Sequence, residues 1–379
     1  MINREIRNKK ILISIPFLTL GGAETQALLL GIFLKNYGAV VEFVAFYKKD
    51  GKLIPKLQDQ KVPYYIFPYD ISVVHKKGFA KFSLIIRFIR FLRKGKYDYI
   101  VPFTYYPNLL CNLSCRFTSA EKCYWNQRGM ETISMSILEK IAKILKPAYI
   151  ANSEASLAYI VKRHKLNDYK GSVIYNGLPL IVPKEDASIW KDKLALRAND
   201  FCVVYTANFF PEKDHETLLQ AINILKSNEK QDRRLRLVLA GYAINAECLN
   251  KVKALVLDLH LEENVIFIES TDDVAGLLSV ADLAVLTSVS EGLSNALLEY
   301  MYFRLPIVAS NIPSNKEVLG QNYPYLYSLG NQIELAAKIE VLMNEPLERA
   351  KTGKLNYQRV TSVFNTEKMG NAYLKLLLS

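Results

Sequence analysis

Two glutamates, Glu291 and Glu299, bracket the segment Glu291-Gly292-Leu293-Ser294-Asn295-Ala296-Leu297-Leu298-Glu299. The apolar run Ala281 to Thr287 predicts a short buried strand, Ser288 to Ser290 a loop, and the residues from about Ser294 through Met301 a helix. One carboxylate then precedes a helix N-terminus and the other lies inside the helix. A helix start presents unpaired amides and a partial positive charge, which suits phosphate. Glu299 is five residues past Ser294, roughly 7.5 Å along the axis. At that offset its two oxygens could grip a vicinal diol while the amides hold a diphosphate. A nucleotide sugar carries those two groups side by side. The plain alternative is a loop acid and a solvated helix acid, since two glutamates at this spacing are common. Ala296, Leu297, Leu298 and Met301 weigh against solvation, because a lone carboxylate among them is costly unless paired or used. A third reading makes the pair a general acid and base acting across one bond.

The elements that would position these groups follow a simple rhythm. Short apolar runs alternate with longer helical patterns: Lys10–Ile15, Val40–Ala45, Tyr99–Pro102, Lys122–Trp125, Tyr149–Ala151 and Val173–Ile174, then Cys202–Ala207, Leu235–Ala240, Val265–Ile268, Leu283–Leu286 and Ile307–Ala309. Serial β-α units imply parallel sheets with covered faces. The turn-rich, charged stretch from Asn176-Gly177-Leu178-Pro179 to Pro183-Lys184-Glu185-Asp186 reads as a linker. The expected architecture is α/β, with two doubly wound domains, residues 1–178 and 179–360, and a C-terminal helix, 361–379, packing back toward the first. Ligands in such folds bind at the carboxyl ends of strands, so a central cleft faced by both domains is the expected site.

Composition narrows the chemistry. Half of the 379 residues are apolar, enough for two cores. Four His and five Cys are scattered without metal-ligand or disulfide spacing, so no metal is expected and reduced cysteines in a cytoplasmic setting are the simpler reading. The formal charge of +12 favours anionic partners. Nucleic acid is disfavoured, because zinc-finger spacing, single-strand aromatic patterns and basic tails are missing. Arg4 to Lys10 followed by Ile11 to Leu18 resembles a signal peptide, but the run ends in Gly21-Gly22-Ala23-Glu24 and leads into a helical pattern, Thr25 to Leu34. A first strand, tight loop and first helix is the better expectation. No apolar run is long enough to cross a bilayer.

Several ordered motifs together resemble the retaining glycosyltransferases of family 4, which have the two-domain GT-B architecture. They are Gly21-Gly22-Ala23-Glu24, Ile150-Ala151-Asn152-Ser153, Val173-Ile174-Tyr175-Asn176-Gly177, Ala207-Asn208-Phe209-Phe210-Pro211-Glu212-Lys213-Asp214-His215, Leu237-Val238-Leu239-Ala240-Gly241, Val280-Ala281-Asp282-Leu283-Ala284-Val285-Leu286, the E-x7-E segment, and Arg304-Leu305-Pro306-Ile307-Val308-Ala309-Ser310. The resemblance implies that Glu291 stands nearest the transferred sugar and that Lys213 contacts the donor phosphates. It implies that Glu299 grips the ribose, that Gly292, Leu293, Ser294 and Asn295 lie beneath the phosphates, and that Asn208 and Gly241 line the donor side. Gly21 and Gly22 would form a phosphate loop on the acceptor side, with Arg128 as a cleft-lining cation. Many relatives carry an Arg where Asn208 stands, and a His in the region Pro102 to Asn108, where this chain has none. The implied reaction moves a hexose from a nucleotide sugar, UDP-linked, to a lipid-linked glycan in cell-surface polysaccharide synthesis, with no cofactor. A GT-B epimerase or phosphorylase, or a non-catalytic partner subunit, are the alternatives, and the oligomeric state is not legible.

The stretch Phe79 to Lys96 is separately informative. As a helix it sets Arg87, Arg90 and Lys94 on one stripe beside a wide apolar face containing Phe82, Ile85, Ile86, Phe88, Ile89, Phe91 and Leu92, with Lys76, Lys77 and Lys81 at its start. It reads either as a core helix with a solvated basic stripe or as a surface for an anionic membrane, which would place the protein peripherally on the inner face.

Overall fold

The computed structural model describes residues 5–68, 80–130, 134–167, 169, 171–179, 181–227, 234–243, 245–269 and 271–379. The chain divides into two compact units, one of Met1–Pro179 with Phe364–Ser379 and one of Leu180–Val363. Phe79, Lys76 and Lys77 lie outside the described residues.

The first unit is built on strands β1 (Lys10–Phe17), β2 (Val40–Tyr47), β3 (Tyr64–Ile66), β4 (Tyr99–Pro102), β5 (Lys122–Gln127), β6 (Ala148–Ala151) and β7 (Gly171–Val173). They form one sheet in the order β3-β2-β1-β4-β5-β6-β7, every pairing parallel. Parallel strands covered on both faces need apolar side chains on both, and Ile11, Leu12, Ile13 and Ile15 are fully buried accordingly. Helices Gly22–Asn36, Leu53–Asp59 and Thr366–Leu378 pack into one core. Helices Ala80–Gly95, Tyr105–Ser114, Ile137–Ile144 and Glu154–His164 pack into the other.

The returning C-terminal segment is fastened at a glycine. Leu178 N donates to Phe364 O at 2.7 Å and Thr366 Oγ1 to Leu178 O at 2.8 Å. A Cβ on Gly177 would approach the Thr366 Cα to 2.8 Å, so only glycine admits this crossing. The Gln26 amide holds both Gly177 backbone groups, at 2.8 and 2.9 Å. At the far end of the returning helix, Lys122 Nζ donates to Leu377 O at 3.0 Å, a cation on the negative helix end.

The second unit repeats the plan with β8 (Phe201–Thr206), β9 (Leu235–Ala240), β10 (Val265–Ile268), β11 (Leu283–Leu286), β12 (Ile307–Ser310) and β13 (Leu326–Tyr327), ordered β10-β9-β8-β11-β12-β13 and all parallel. Asp273 anchors the start of the unit. It accepts from Lys184 N at 3.0 Å, from Glu185 N at 3.2 Å and from the Trp190 indole at 2.8 Å, while capping the helix Val274–Ser279. The charged end of the linker is therefore part of this unit.

Both sheets reverse their direction of growth once, between β1 and β4 and between β8 and β11. Such switch points leave a crevice at the carboxyl ends of the strands, where ligands of this fold class bind. The α/β expectation holds. The edge strands β3 and β13 were not expected, and β7 begins two residues before the expected Val173–Ile174. All three are very short, and β3 is largely solvated, so none carries a buried apolar run.

Candidate active site

In the second unit, the loops that leave β8 and β11 meet at the switch point. The loop after β8 runs through Asn208 to a 3-10 turn, Pro211–Lys213. The loop after β11 carries Glu291 to the helix Asn295–Tyr302. Two backbone ties hold the loops in register. Val289 N donates to Glu212 O at 2.9 Å, and the Lys213 carbonyl accepts from Thr287 Oγ1 at 2.8 Å and from the Tyr205 hydroxyl at 2.7 Å. With its backbone so fixed, Lys213 projects its ammonium onto the Glu291 carboxylate, and the two form a salt bridge. Its side chains are only 26% and 13% exposed, so each charge is partly desolvated and relies on the other.

The helix after Glu291 begins where the sequence indicates. Ser294 is its N-cap and accepts from Leu297 N at 3.5 Å. Gly292 and Leu293 are buried beneath the loop. Leu297, Leu298, Tyr300 and Met301 face the core, which explains the apolar composition around Glu299. Glu299 itself is half-buried, and among the described residues its carboxylate has no hydrogen-bond or ion-pair partner. Burial alone pushes its pKa up to about 7. A carboxylate held in that state favours any ligand that brings hydrogen-bond donors.

The supporting residues were not singled out from the sequence. The Tyr300 hydroxyl accepts from Thr206 N at 2.7 Å and pairs with Thr206 Oγ1 at 2.8 Å, joining the Glu299 helix to the last residue of β8. Ser310 at the end of β12 donates to Ser288 O at 2.6 Å, and Asn315 holds Ser310 in turn. His215 lies against Phe209, ring centroids 4.9 Å apart. Burial, with the nearby Lys213 charge, lowers its pKa to about 4, so it is neutral beside the site. Strand-end position was the available signal for Thr206, Ser288 and Ser310; nothing local marks Tyr300.

Asn208 and Gly241 also meet here. Asn208 Oδ1 accepts from Tyr242 N at 3.0 Å, so it fixes the loop after β9. A Cβ on Gly241 would overlap the Ala207 carbonyl, so these two strand ends approach closely only because Gly241 has none. Asn208 is therefore a backbone brace, with no charge to set against a phosphate.

The remaining candidates belong to the first unit. Gly21 precedes the helix Gly22–Asn36, as expected of a loop on a strand end. Glu24 folds its carboxylate back against Gly21, where burial raises its pKa to about 7, so an acid of this chain already lies on the loop. Arg128 follows β5. Its guanidinium sits 5.1 Å from the Phe103 ring and donates to Asn176 Oδ1, and among the described residues its buried Nε and Nη1 have no partners. Burial lowers its pKa, though the site stays cationic at any ordinary pH. Arg87, Arg90 and Lys94 are exposed on the helix Ala80–Gly95. Phe88, Leu92 and Leu84 of that helix are core residues, whereas Phe82 and Ile86 stand in solvent, so the wide apolar face divides. Among the described residues no cluster of His, Cys, Asp or Glu could hold a metal, and no helix is long and apolar enough to cross a membrane.

Residues 186–359, which contain β8 to β13, match the family described as Glycosyl transferases group 1. N-acetyl-alpha-D-glucosaminyl L-malate synthase of Bacillus anthracis is 28% identical over 192 residues, 50% of this chain and 48% of its own length. UDP-Gal:alpha-D-GlcNAc-diphosphoundecaprenol alpha-1,3-galactosyltransferase of Escherichia coli is 24% identical over 246 residues, 61% of this chain and 62% of its own. The chain thus spans less than two thirds of either relative. Anabaena HepE, solved in complex with UDP and glucose, aligns with a TM-score of 0.82 over 98% of this chain and 100% of that chain, at 20% identity. That likeness establishes the fold, GT-B, as the resemblance implied.

Proposed function

Residues 186–359 of this chain match the group 1 glycosyltransferase family, and on that premise we propose that the protein is a retaining, metal-independent hexosyltransferase of family 4. It takes a UDP-linked sugar and passes the hexose to a lipid-linked glycan during cell-surface polysaccharide synthesis, working from the cytoplasmic face of the membrane. The observation that carries this reading is the Lys213–Glu291 pair at the β8/β11 switch point, beside a helix start and the unpartnered Glu299. A diphosphate anion competes with Glu291 for the Lys213 ammonium, and the helix N-terminus shares its charge. The ribose diol donates to Glu299. Freed from Lys213, Glu291 turns to the sugar hydroxyls.

In the reaction, the bond between the anomeric carbon and the diphosphate oxygen breaks as the acceptor oxygen bonds to the same face. The acceptor proton passes to the leaving phosphate. Lys213 and the helix amides stabilise the negative charge that grows there, so the charge is met without a metal. The first unit, with the Gly21-Gly22 loop and Arg128, is the acceptor side. The choice of UDP is supported by the UDP and glucose in HepE and by the donor in the Escherichia coli relative's name, and the lipid carrier by that same name.

The test is turnover by the purified chain, with chelator present, of UDP-glucose, UDP-galactose and UDP-N-acetylglucosamine against undecaprenyl-diphosphate-linked sugars. UDP release that requires both substrates and yields an α-linked product by NMR is expected. A chain that neither binds UDP nor turns over any donor would exclude the proposal.

A further inference from the structure

The helix Ile137–Ile144 has its polar and apolar sides reversed in part. Ser136 caps it, accepting from Glu139 N at 3.1 Å, and Leu138, Glu139 and Ala142 face inward. Its outer stripe carries Ile137, Ile141 and Ile144, which are 64%, 42% and 74% exposed. These positions, i, i+4 and i+7, form one apolar ridge about 10 Å long. Lys140 borders the ridge and Lys146 follows it, both exposed.

The helix Ala80–Gly95 offers a matching face. Phe82 and Ile86, 51% and 50% exposed, run in line with the exposed Arg90 and Arg93. Both helices pack on one side of the first sheet and flank the buried helix Tyr105–Ser114. A short bridge joins their ends. Arg93 Nε donates to Phe117 O at 2.6 Å, and Arg116 Nη2 donates to Leu145 O at 2.5 Å, with the Phe117 ring itself 56% exposed. The only carboxylate in segments 80–95, 115–117 and 137–146 is Glu139, which is fully buried and paired with Arg163. Along these three segments the outer surface is therefore apolar and cationic, with no exposed acid.

We infer that this surface of the first unit, centred on Ile137, Ile141 and Ile144, docks on an anionic phospholipid bilayer. The three isoleucines and Phe82, Ile86 and Phe117 enter the boundary between headgroups and acyl chains, while the flanking Lys and Arg side chains reach the lipid phosphates. A second copy of the chain is the other occupant an apolar face suggests. A two-fold contact would bring the same cations against one another, which the missing carboxylates leave uncompensated. The inference rests on the lipid-linked acceptor for its purpose and on these side chains for its evidence.

The experiment is co-sedimentation of the full chain with vesicles of phosphatidylcholine alone and of phosphatidylcholine with phosphatidylglycerol. Binding to the anionic vesicles only, weakened by salt, is expected. I137S/I141S/I144S should reduce it at least about tenfold with the protein still folded in a cooperative melt, because all three side chains lie on the exposed side of the helix. K140Q/K146Q provides an independent variant and should also weaken it. Wild-type protein that ignores anionic vesicles, or a triple variant that binds them equally well, would overturn the inference. So would a dimer in sedimentation velocity that the triple variant abolishes while vesicles stay unbound. UDP-induced thermal stabilisation, measured on the same samples, reports the donor site separately, so loss of vesicle binding and failure of the transferase reading are distinguishable.

Discussion

Lys213 and Glu291 neutralise one another across two loops, one leaving β8 and one leaving β11, which are adjacent strands in space and 78 positions apart in sequence at these residues. Each is therefore the other's counter-ion until an anionic ligand arrives. On the proposed reading, a diphosphate at Lys213 would release Glu291, making donor binding and the readiness of Glu291 one event.

Lys213→Ala and Glu291→Ala should each lower kcat by about 10²–10³-fold, the usual loss when a stabilising group at a developing charge is removed. Because the two act as a pair, the double variant should be little worse than the poorer single one. Steady-state UDP release measures this. Near-normal turnover in both single variants would remove the site assignment.

Glu299 gives a pH signature. Its pKa of about 7, against 4.5 when free, means that its contribution to stability is full below about 4.5 and is lost as pH rises through about 7. A ribose diol donating to the carboxylate favours the ionised form. UDP affinity should therefore climb between about pH 6 and about pH 8. Calorimetry on Glu299→Gln should find weaker binding with that rise removed; a rise that persists assigns it to another group.

Gly241→Ala tests how the donor side is assembled. The added methyl meets a backbone carbonyl, which cannot move aside as a flexible side chain would. A destabilisation of about 1–3 kcal/mol is expected, together with a raised KM for the donor as the Asn208 loop shifts. Denaturant melts and donor titration would show it, and a neutral variant would mean the strand ends can spread freely.

Glu139 is the stability control in the first unit. Burial alone would raise its pKa, but hydrogen bonds from His164 and Arg163 hold it down at about 2. Its contribution is thus present above about 4.5 and lost as pH falls through about 2. Glu139→Gln should cost about 3–5 kcal/mol near neutral pH, because Arg163 is left with its charge uncompensated. The difference from wild type should narrow on acidification, as read from urea melts. It should leave UDP binding at the proposed site of the second unit unchanged.

Local sequence carried a good deal of this. The buried strands β8 and β11 are nearly continuous apolar runs, as is β9 but for Arg236, and the helix after Ser294 announces itself by its cap and its apolar spacing. Glu299 stood out because an acid among leucines needs a reason, and its raised pKa supplies one. The edge strands β3 and β13 were illegible because two or three residues hold no period. The exposed Ile137, Ile141 and Ile144 were illegible for the opposite reason: an isoleucine reads as core in any sequence, and only the packing of Leu138 and Ala142 shows which side of the helix faces inward.

The sequence by itself determined the class of fold and the loops on which the chemistry sits, because burial of parallel strands and the start of a helix are local demands on residue type. Tertiary structure alone decided that Lys213 meets Glu291, that Asn208 braces the loop after β9 and that Gly241 lies against the Ala207 carbonyl. Those relations join segments, or turn side chains, according to strand order and close packing. Neither is a property of any short stretch of chain.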